Sequence, residues 1–213
     1  MTPRPVTVID AGVGNLANLS RALTHEGGTV TVTADPGVVA AARCLVLPGV
    51  GAFGPPRRQL AETGLDRAIT TALAAGAWLF GICIGFQLLF AGSEEAPGEP
   101  GLGLLPGRVT RLPGSVPVPH IGWNSLLDPA DHPLTRDLAA GTAVYFVHSY
   151  APEDVPADAV LASTLHGRLF PAIAGTGRVM GTQFHPEKSG PAGLALLRRY
   201  LEMAHGPLAG DRS

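Results

Sequence analysis

The chain is poor in cysteine, in charge and in basic clusters, and each shortage excludes a class of function. Only two of its 213 residues are cysteine, Cys44 and Cys83, so neither a disulfide framework nor a zinc quartet can be built from it. There is no Lys/Arg block, and the formal net charge is -2. The electrostatic footprint of a nucleic-acid or membrane-surface binder is therefore missing, which leaves small molecules or proteins as expected partners. Met1 to Pro5 carry no charged-then-apolar leader, and with so few cysteines the expected compartment is a reducing cytoplasm. Charge is also absent from Ala68 through Ser93, a run long enough to cross a bilayer, in which Gly81 and Gly85 have the spacing of a helix-dimer motif. Against a span stand Thr70, Thr71 and Gln87, together with Gly76, Gly81 and Gly85, which divide the run into helix, turn, strand, elbow and helix.

Glycine and proline, by contrast, are plentiful, but they fall between periodic segments and mark the loops of a folded protein. A chain of this size buries a sizeable core. One domain over residues 1–205 is expected, followed by a frayed tail at 206–213 around Arg212.

Val6 to Asp10 reads as a buried strand, Gly12 to Asn15 as a turn, and Leu16 to Glu26 as a helix. Thr29 to Thr33 and Cys44 to Leu47 are the next strands, Pro48 to Phe53 a loop, and Arg57 to Ala75 a helical stretch. Trp78 to Phe80 then forms a strand leading into Gly81-Ile82-Cys83-Ile84-Gly85. Alternating strands and helices imply βαβ units and a parallel sheet flanked by helices, an α/β fold with ligands bound beyond the carboxyl ends of the strands. By that rule Gly12 to Asn15, Pro48 to Phe53 and the Cys83 segment meet at one edge. The second half reads as short strands at 107–112, 118–126, 145–147, 159–164, 171–174 and 179–184, closed by a helix over Pro191 to Ala204.

Glycine two residues to each side of Cys83 is the spacing of a nucleophile elbow, in which a strained strand-to-helix turn needs small neighbours. A thiol at the start of a helix gains from unpaired N–H groups and the helix dipole, which favour the thiolate. The same five residues could be buried packing, since Gly-x-Cys-x-Gly arises by chance and free cysteines are often simply buried. Cys44, inside an apolar strand, reads as inert packing. A thiolate nucleophile needs a base, and the base an orienting group. His185-Pro186-Glu187 follows the strand at Met180 to Phe184, and strand alternation would put imidazole and carboxylate on one side, with Pro186 stiffening the pair.

Together these segments resemble the class I glutamine amidotransferases. Six stretches carry the likeness, which covers most of the chain: Ile9-Asp10 with Gly14-Asn15-Leu16, Pro48 to Phe53, Gly81 to Leu89, Pro119 to Asn124, Tyr145 to Tyr150 and Gln183 to Gly190. The elbow and His-Pro-Glu indicate the superfamily. The Pro-Gly-Val-Gly loop and the Gly-Trp-Asn and His-Ser-Tyr segments are similar to those of the glutaminase subunits of imidazole glycerol phosphate synthase, which work as heterodimers with a (β/α)8 cyclase. The resemblance implies a flavodoxin-like sheet and glutaminase activity: Cys83 as nucleophile, His185 as proton shuttle and Glu187 as its orienting carboxylate. It further implies oxyanion donors at Ile84 and in Gly49-Val50-Gly51, and glutamine contacts at Gln87, Glu95, Ser149 and Tyr150. Asn15, His120, Trp123 and Asn124 fall at the implied cyclase interface, and no metal or cofactor is called for. Read without the resemblance, Gln87 could satisfy a backbone group, Glu94 and Glu95 could be a solvated pair, and Tyr150 and Trp123 could be core. Three features depart from the family pattern: Ala11 where an aromatic is common, Pro55-Pro56 after the oxyanion loop, and Ala91-Gly92 after the elbow. None removes a catalytic group.

Overall fold

The computed structural model describes residues 3–206; of the expected tail, residues 207–213 lie outside the described residues. The elements run β1 (Arg4–Ile9), α1 (Leu16–His25), β2 (Gly28–Thr33), α2 (Pro36–Ala41), β3 (Cys44–Gly49), α3 (Gly54–Thr63), α4 (Leu65–Ala74), β4 (Trp78–Cys83) and α5 (Ile84–Gln87). The second half continues with β5 (Arg108–Arg111), β6 (His120–Ser125), β7 (Ala143–His148), β8 (Tyr150–Glu153), β9 (Val160–His166), β10 (Arg168–Thr176), β11 (Val179–Thr182) and α6 (Gly190–His205). A seven-stranded sheet in the order β2-β1-β3-β4-β11-β10-β9 forms the centre. Its strands from β2 through β11 are parallel, while β10 and β9 add an antiparallel edge. Two small antiparallel ribbons, β5-β8 and β6-β7, stand apart from it.

The burial pattern explains this order. Residues 44–49 of β3 are buried throughout, and β4 nearly so, as strands covered on both faces by helices must be. α1 packs against α6, and α2 and α3 against α4, so helices cover the sheet in two groups. Because β1, β3, β4 and β11 are parallel, the loops after them open at one edge, where the substrate of a doubly wound fold binds. The expected meeting of the first turn with the Pro48 loop occurs: a Cβ on Gly14 would lie 3.7 Å from the Pro48 side chain.

Several local readings needed correction. The helical stretch from Arg57 is two helices, broken at Gly64, whose φ of 75° ends one and starts the next. Pro55 and Pro56 open α3, where a missing N–H costs nothing. α2, capped by Asp35 accepting from the Gly37 N–H at 2.7 Å, and β8 are elements beyond those read from the sequence. The uncharged run from Ala68 to Ser93 contains the end of α4, a turn at Gly76, β4 and the elbow, and no helix among the described residues is long and apolar enough to cross a membrane.

Candidate active site

Cys83 ends β4 with φ 54° and ψ -109°, one of three non-glycine residues with positive φ among those described. Such a conformation costs on the order of 1–3 kcal/mol and persists only where packing enforces it. Enforcement comes from close contact. A Cβ on Gly81 would lie 2.7 Å from the Gly85 carbonyl oxygen, one on Gly85 only 1.8 Å from the Leu47 oxygen, and one on Gly49 2.8 Å from the Ile84 Cβ. The elbow is thus clamped between the ends of β3 and β4. α5 is a single turn, shorter than the helix expected, so it presents unpaired N–H groups beside the thiol but little macrodipole.

His185 lies beyond the end of β11, and its backbone is held at both its N–H and its carbonyl. Its N–H donates to the Tyr145 carbonyl at 3.0 Å, while its own carbonyl accepts from the Ser189 hydroxyl at 2.6 Å, and that hydroxyl accepts from the Tyr145 N–H at 3.0 Å. The His185 Nδ1 to Glu187 Oε1 distance is 2.8 Å, with both side chains buried. Strand alternation does not create this pair, contrary to the sequence argument. β11 ends at Thr182, and Pro186 to Lys188 form a 3-10 turn that folds the carboxylate back onto the imidazole. Burial opposes charge on His185, but the Cys83 sulfur and the Glu187 carboxylate outweigh it and push its pKa up to about 10. The imidazole Nε2 is buried and makes no well-formed hydrogen bond in this resting arrangement, to Cys83 or to anything else.

Beside Cys83 opens a cavity of about 190 Å³ whose lining includes Gly51, Ile84, Gln87, Glu95, Ser149 and Tyr150. The expected glutamine contacts and two of the expected oxyanion residues thus share one cavity. Gly49 is packed beneath the elbow and Val50 is exposed, so neither lines it. The buried thiol sits behind the cavity wall, 3.8 Å from the Val147 carbonyl. The Gln87 Nε2 donates to the Tyr150 carbonyl at 2.8 Å and to the Gln183 Oε1 at 3.0 Å, which leaves its buried Oε1 without a partner. Since a carbonyl can only accept, this amide orientation is determined, and the orphan oxygen is an acceptor awaiting a donor. Glu95 uses one carboxylate oxygen to accept from the Phe53 N–H at 2.9 Å, tying the cavity to the end of the Pro48 loop.

The expected interface residues divide. Trp123 is 59% exposed beside an equally exposed Ile121, whereas His120 is buried. Asn15 caps α1 through its side-chain oxygen, and Asn124 donates to the Leu165 carbonyl at 3.0 Å. Gln183 and His148 stand in the sequence only as members of motifs, with no role of their own. Both are polar residues buried among apolar neighbours, a signal that appears only once burial is known.

The glutamine amidotransferase class-I family matches residues 7–203. The chain belongs to that family. Among curated relatives, the imidazole glycerol phosphate synthase subunit HisH of Symbiobacterium thermophilum is 48% identical, over 93% of each chain. The HisH subunit of Halobacterium salinarum is 46% identical over 92% of each. A solved structure titled as a glutamine amidotransferase covers 95% of this chain and 99% of its own, with a TM-score of 0.74 at 22% identity, so the two share one fold.

Proposed function

We infer that the chain, as one domain over residues 1–205, is the glutaminase subunit of an imidazole glycerol phosphate synthase, a reading supported by the near full-length likeness to HisH subunits. It hydrolyses L-glutamine and passes the ammonia to a (β/α)8 cyclase subunit in the cytoplasm, which makes imidazole glycerol phosphate and an aminoimidazole carboxamide ribonucleotide for histidine synthesis. The observation that carries the chemistry is a cysteine on a strained, glycine-clamped elbow beside a buried His185–Glu187 pair, next to a cavity with an orphan acceptor on Gln87.

In the proposed reaction the Cys83 sulfur attacks the side-chain amide carbon, and His185 carries the thiol proton to the leaving nitrogen. The C–N bond breaks, ammonia departs and a γ-glutamyl thioester remains. Water then adds, its proton passing to His185; the C–S bond breaks, and glutamate leaves as the thiol is restored. Glu187 orients the imidazole and stabilises the imidazolium. The oxyanion is held by the Ile84 N–H, which has no intrahelical acceptor, and by an N–H of Gly49-Val50-Gly51. Gly51 has φ of 87° with open space around it, so the neighbouring peptide has room to turn toward the oxyanion when the cyclase docks. This gives low activity alone and high activity in the complex. Gln87 and Glu95 accept from the glutamine ammonium or amide. The Tyr150 carbonyl already takes Gln87 and His148 donors, so Ser149 and Tyr150 contribute through N–H or hydroxyl groups. Trp123, with Asn15 and Asn124, forms the cyclase-facing side that seals the ammonia path, and buried His120 backs it from the opposite face of β6.

The test is glutaminase rate for the chain alone and with a cyclase plus its nucleotide; a high rate indifferent to the cyclase would overturn the subunit assignment. Labelling by diazo-oxo-norleucine should fall on Cys83 and spare Cys44, and the reverse pattern would remove Cys83 from the mechanism.

A further inference from the structure

β6 carries two exposed apolar side chains, Ile121 and Trp123, on one face and buries His120 on the other. From His120 a continuous set of polar contacts runs inward. The Asn124 Nδ2 lies 3.2 Å from the His120 Nε2, the His120 Nδ1 3.0 Å from the His148 Nε2, and the His148 Nδ1 2.8 Å from the Tyr150 carbonyl. The same carbonyl accepts from Gln87, which donates on to Gln183, whose Nε2 approaches the Cys83 sulfur at 4.0 Å.

The protons in this chain can be assigned. The Tyr150 carbonyl only accepts, so the His148 Nδ1 bears hydrogen. Neutral His148 then offers its Nε2 as an acceptor, so the His120 Nδ1 must donate, and the His120 Nε2 accepts from Asn124. Neutrality fits the surroundings, since burial lowers the His148 pKa to about 3 and the His120 pKa to about 4. The rings are also packed: His120 stacks on Phe146 at 4.7 Å and on His166 at 4.0 Å. His120 stands directly opposite His148 in the β6–β7 ladder, so the bonded, packed rings tie the placement of β6 to the Tyr150 carbonyl, and that carbonyl in turn sets which way the Gln87 amide faces.

We propose that His148, through His120, is a positioning residue that transmits the placement of β6 to the Tyr150 carbonyl and hence to the glutamine-binding face of Gln87. This rests on the glutaminase reading above and adds the route by which the exposed ribbon reaches the substrate site.

In the full chain with the cyclase bound, His148→Phe should raise the KM for glutamine about tenfold, the size of one buried hydrogen bond, while kcat changes less than about threefold. His148→Asn places an N–H at the Nδ1 position and should restore KM to within about twofold. His120→Leu, which does not itself line the cavity and reaches it only through His148, should raise KM about threefold. An unchanged KM in folded His148→Phe or His120→Leu, or no rescue by His148→Asn, overturns the proposal. If the variants do not fold, imidazole nitrogen NMR of the unaltered chain decides. Neutral Nδ1–H forms of both His120 and His148 support the link, and an Nε2–H form of His148 overturns it. An unaltered complex that hydrolyses no glutamine refutes the glutaminase reading instead, and the same spectra still judge the histidine link.

Discussion

Replacing Gly85 with alanine tests the claim that the elbow is clamped rather than merely flexible. The added Cβ would sit 1.8 Å from the Leu47 carbonyl oxygen, 2.7 Å from its carbon and 3.2 Å from the Pro48 carbonyl carbon. All three are backbone atoms of buried β3, so no side chain can swing aside. An ordinary Cβ contact of at least ~3.4 Å therefore demands that β3 and β4 part by more than an ångström at their ends, in a core packed near crystal density. Overpacking of this kind costs about 1–3 kcal/mol, and a backbone clash belongs at or above the upper end. For a chain of this length about 3 kcal/mol corresponds to roughly 6–12 °C in Tm. Because Leu47 and Pro48 lead into the oxyanion loop, kcat should fall further, by about 10²–10³ if one donor is displaced. The assays are a thermal melt and glutaminase turnover with the cyclase. Gly114→Ala serves as control, since nothing lies within 4 Å of its Cβ position, and it should melt within about 1 kcal/mol of the parent. A Gly85→Ala protein that melts and turns over like the control would refute the clamp.

Further outcomes follow from the same geometry. Glu187→Gln keeps a hydrogen-bond acceptor for His185 but removes the charge, so the His185 titration, pushed up to about 10, should move down by NMR and turnover should fall about 10²-fold or more; an unmoved titration contradicts the assigned pairing. Stability should fall at both pH extremes, because buried His148 and buried His185 shift oppositely from the ordinary 6.5. The raised His185 contributes stability that is present below 6.5 and lost as pH rises toward about 10, whereas the lowered His148 contributes stability that is present above 6.5 and lost as pH falls toward about 3. Urea midpoints across pH should therefore peak near neutrality, with the acid arm shallower in His148→Phe, and parallel acid arms would contradict this. Trp123→Ala removes a side chain that is mostly exposed, so the melt of the isolated chain should barely move while cyclase affinity drops at least about tenfold by calorimetry; equal affinity would take Trp123 out of the interface.

The first half of the chain was readable because its signals are local. Apolar runs at β1, β3 and β4, the Asn15 cap of α1 and the glycine spacing around Cys83 are all set within a few residues. The second half was read less well because short strands lean on neighbours far away. β8 is four residues with a proline, held by pairing with β5. In the first half the exception is α2, a six-residue helix too short to show a period, whose single buried side chain is Val39. Of the candidate site, the thiol, imidazole and carboxylate were legible as residue types in motif spacing. The geometry that joins them was not: His185 and Glu187 meet through a 3-10 turn, and Gly49 is constrained by contact with Ile84 across the sheet.

What the amino-acid sequence determined by itself was the alternation that builds a parallel sheet and the presence of a nucleophile, a base and an orienting acid, since period and side-chain chemistry are properties of neighbours in the chain. What only the tertiary structure decided was burial and its consequences: which amide oxygen of the Gln87 region is orphaned, which histidines stay neutral, and which glycines cannot carry a Cβ. Those depend on atoms brought together from separate elements of the chain, as with Leu47 against Gly85 and Tyr145 against His185, and no local pattern encodes such distances.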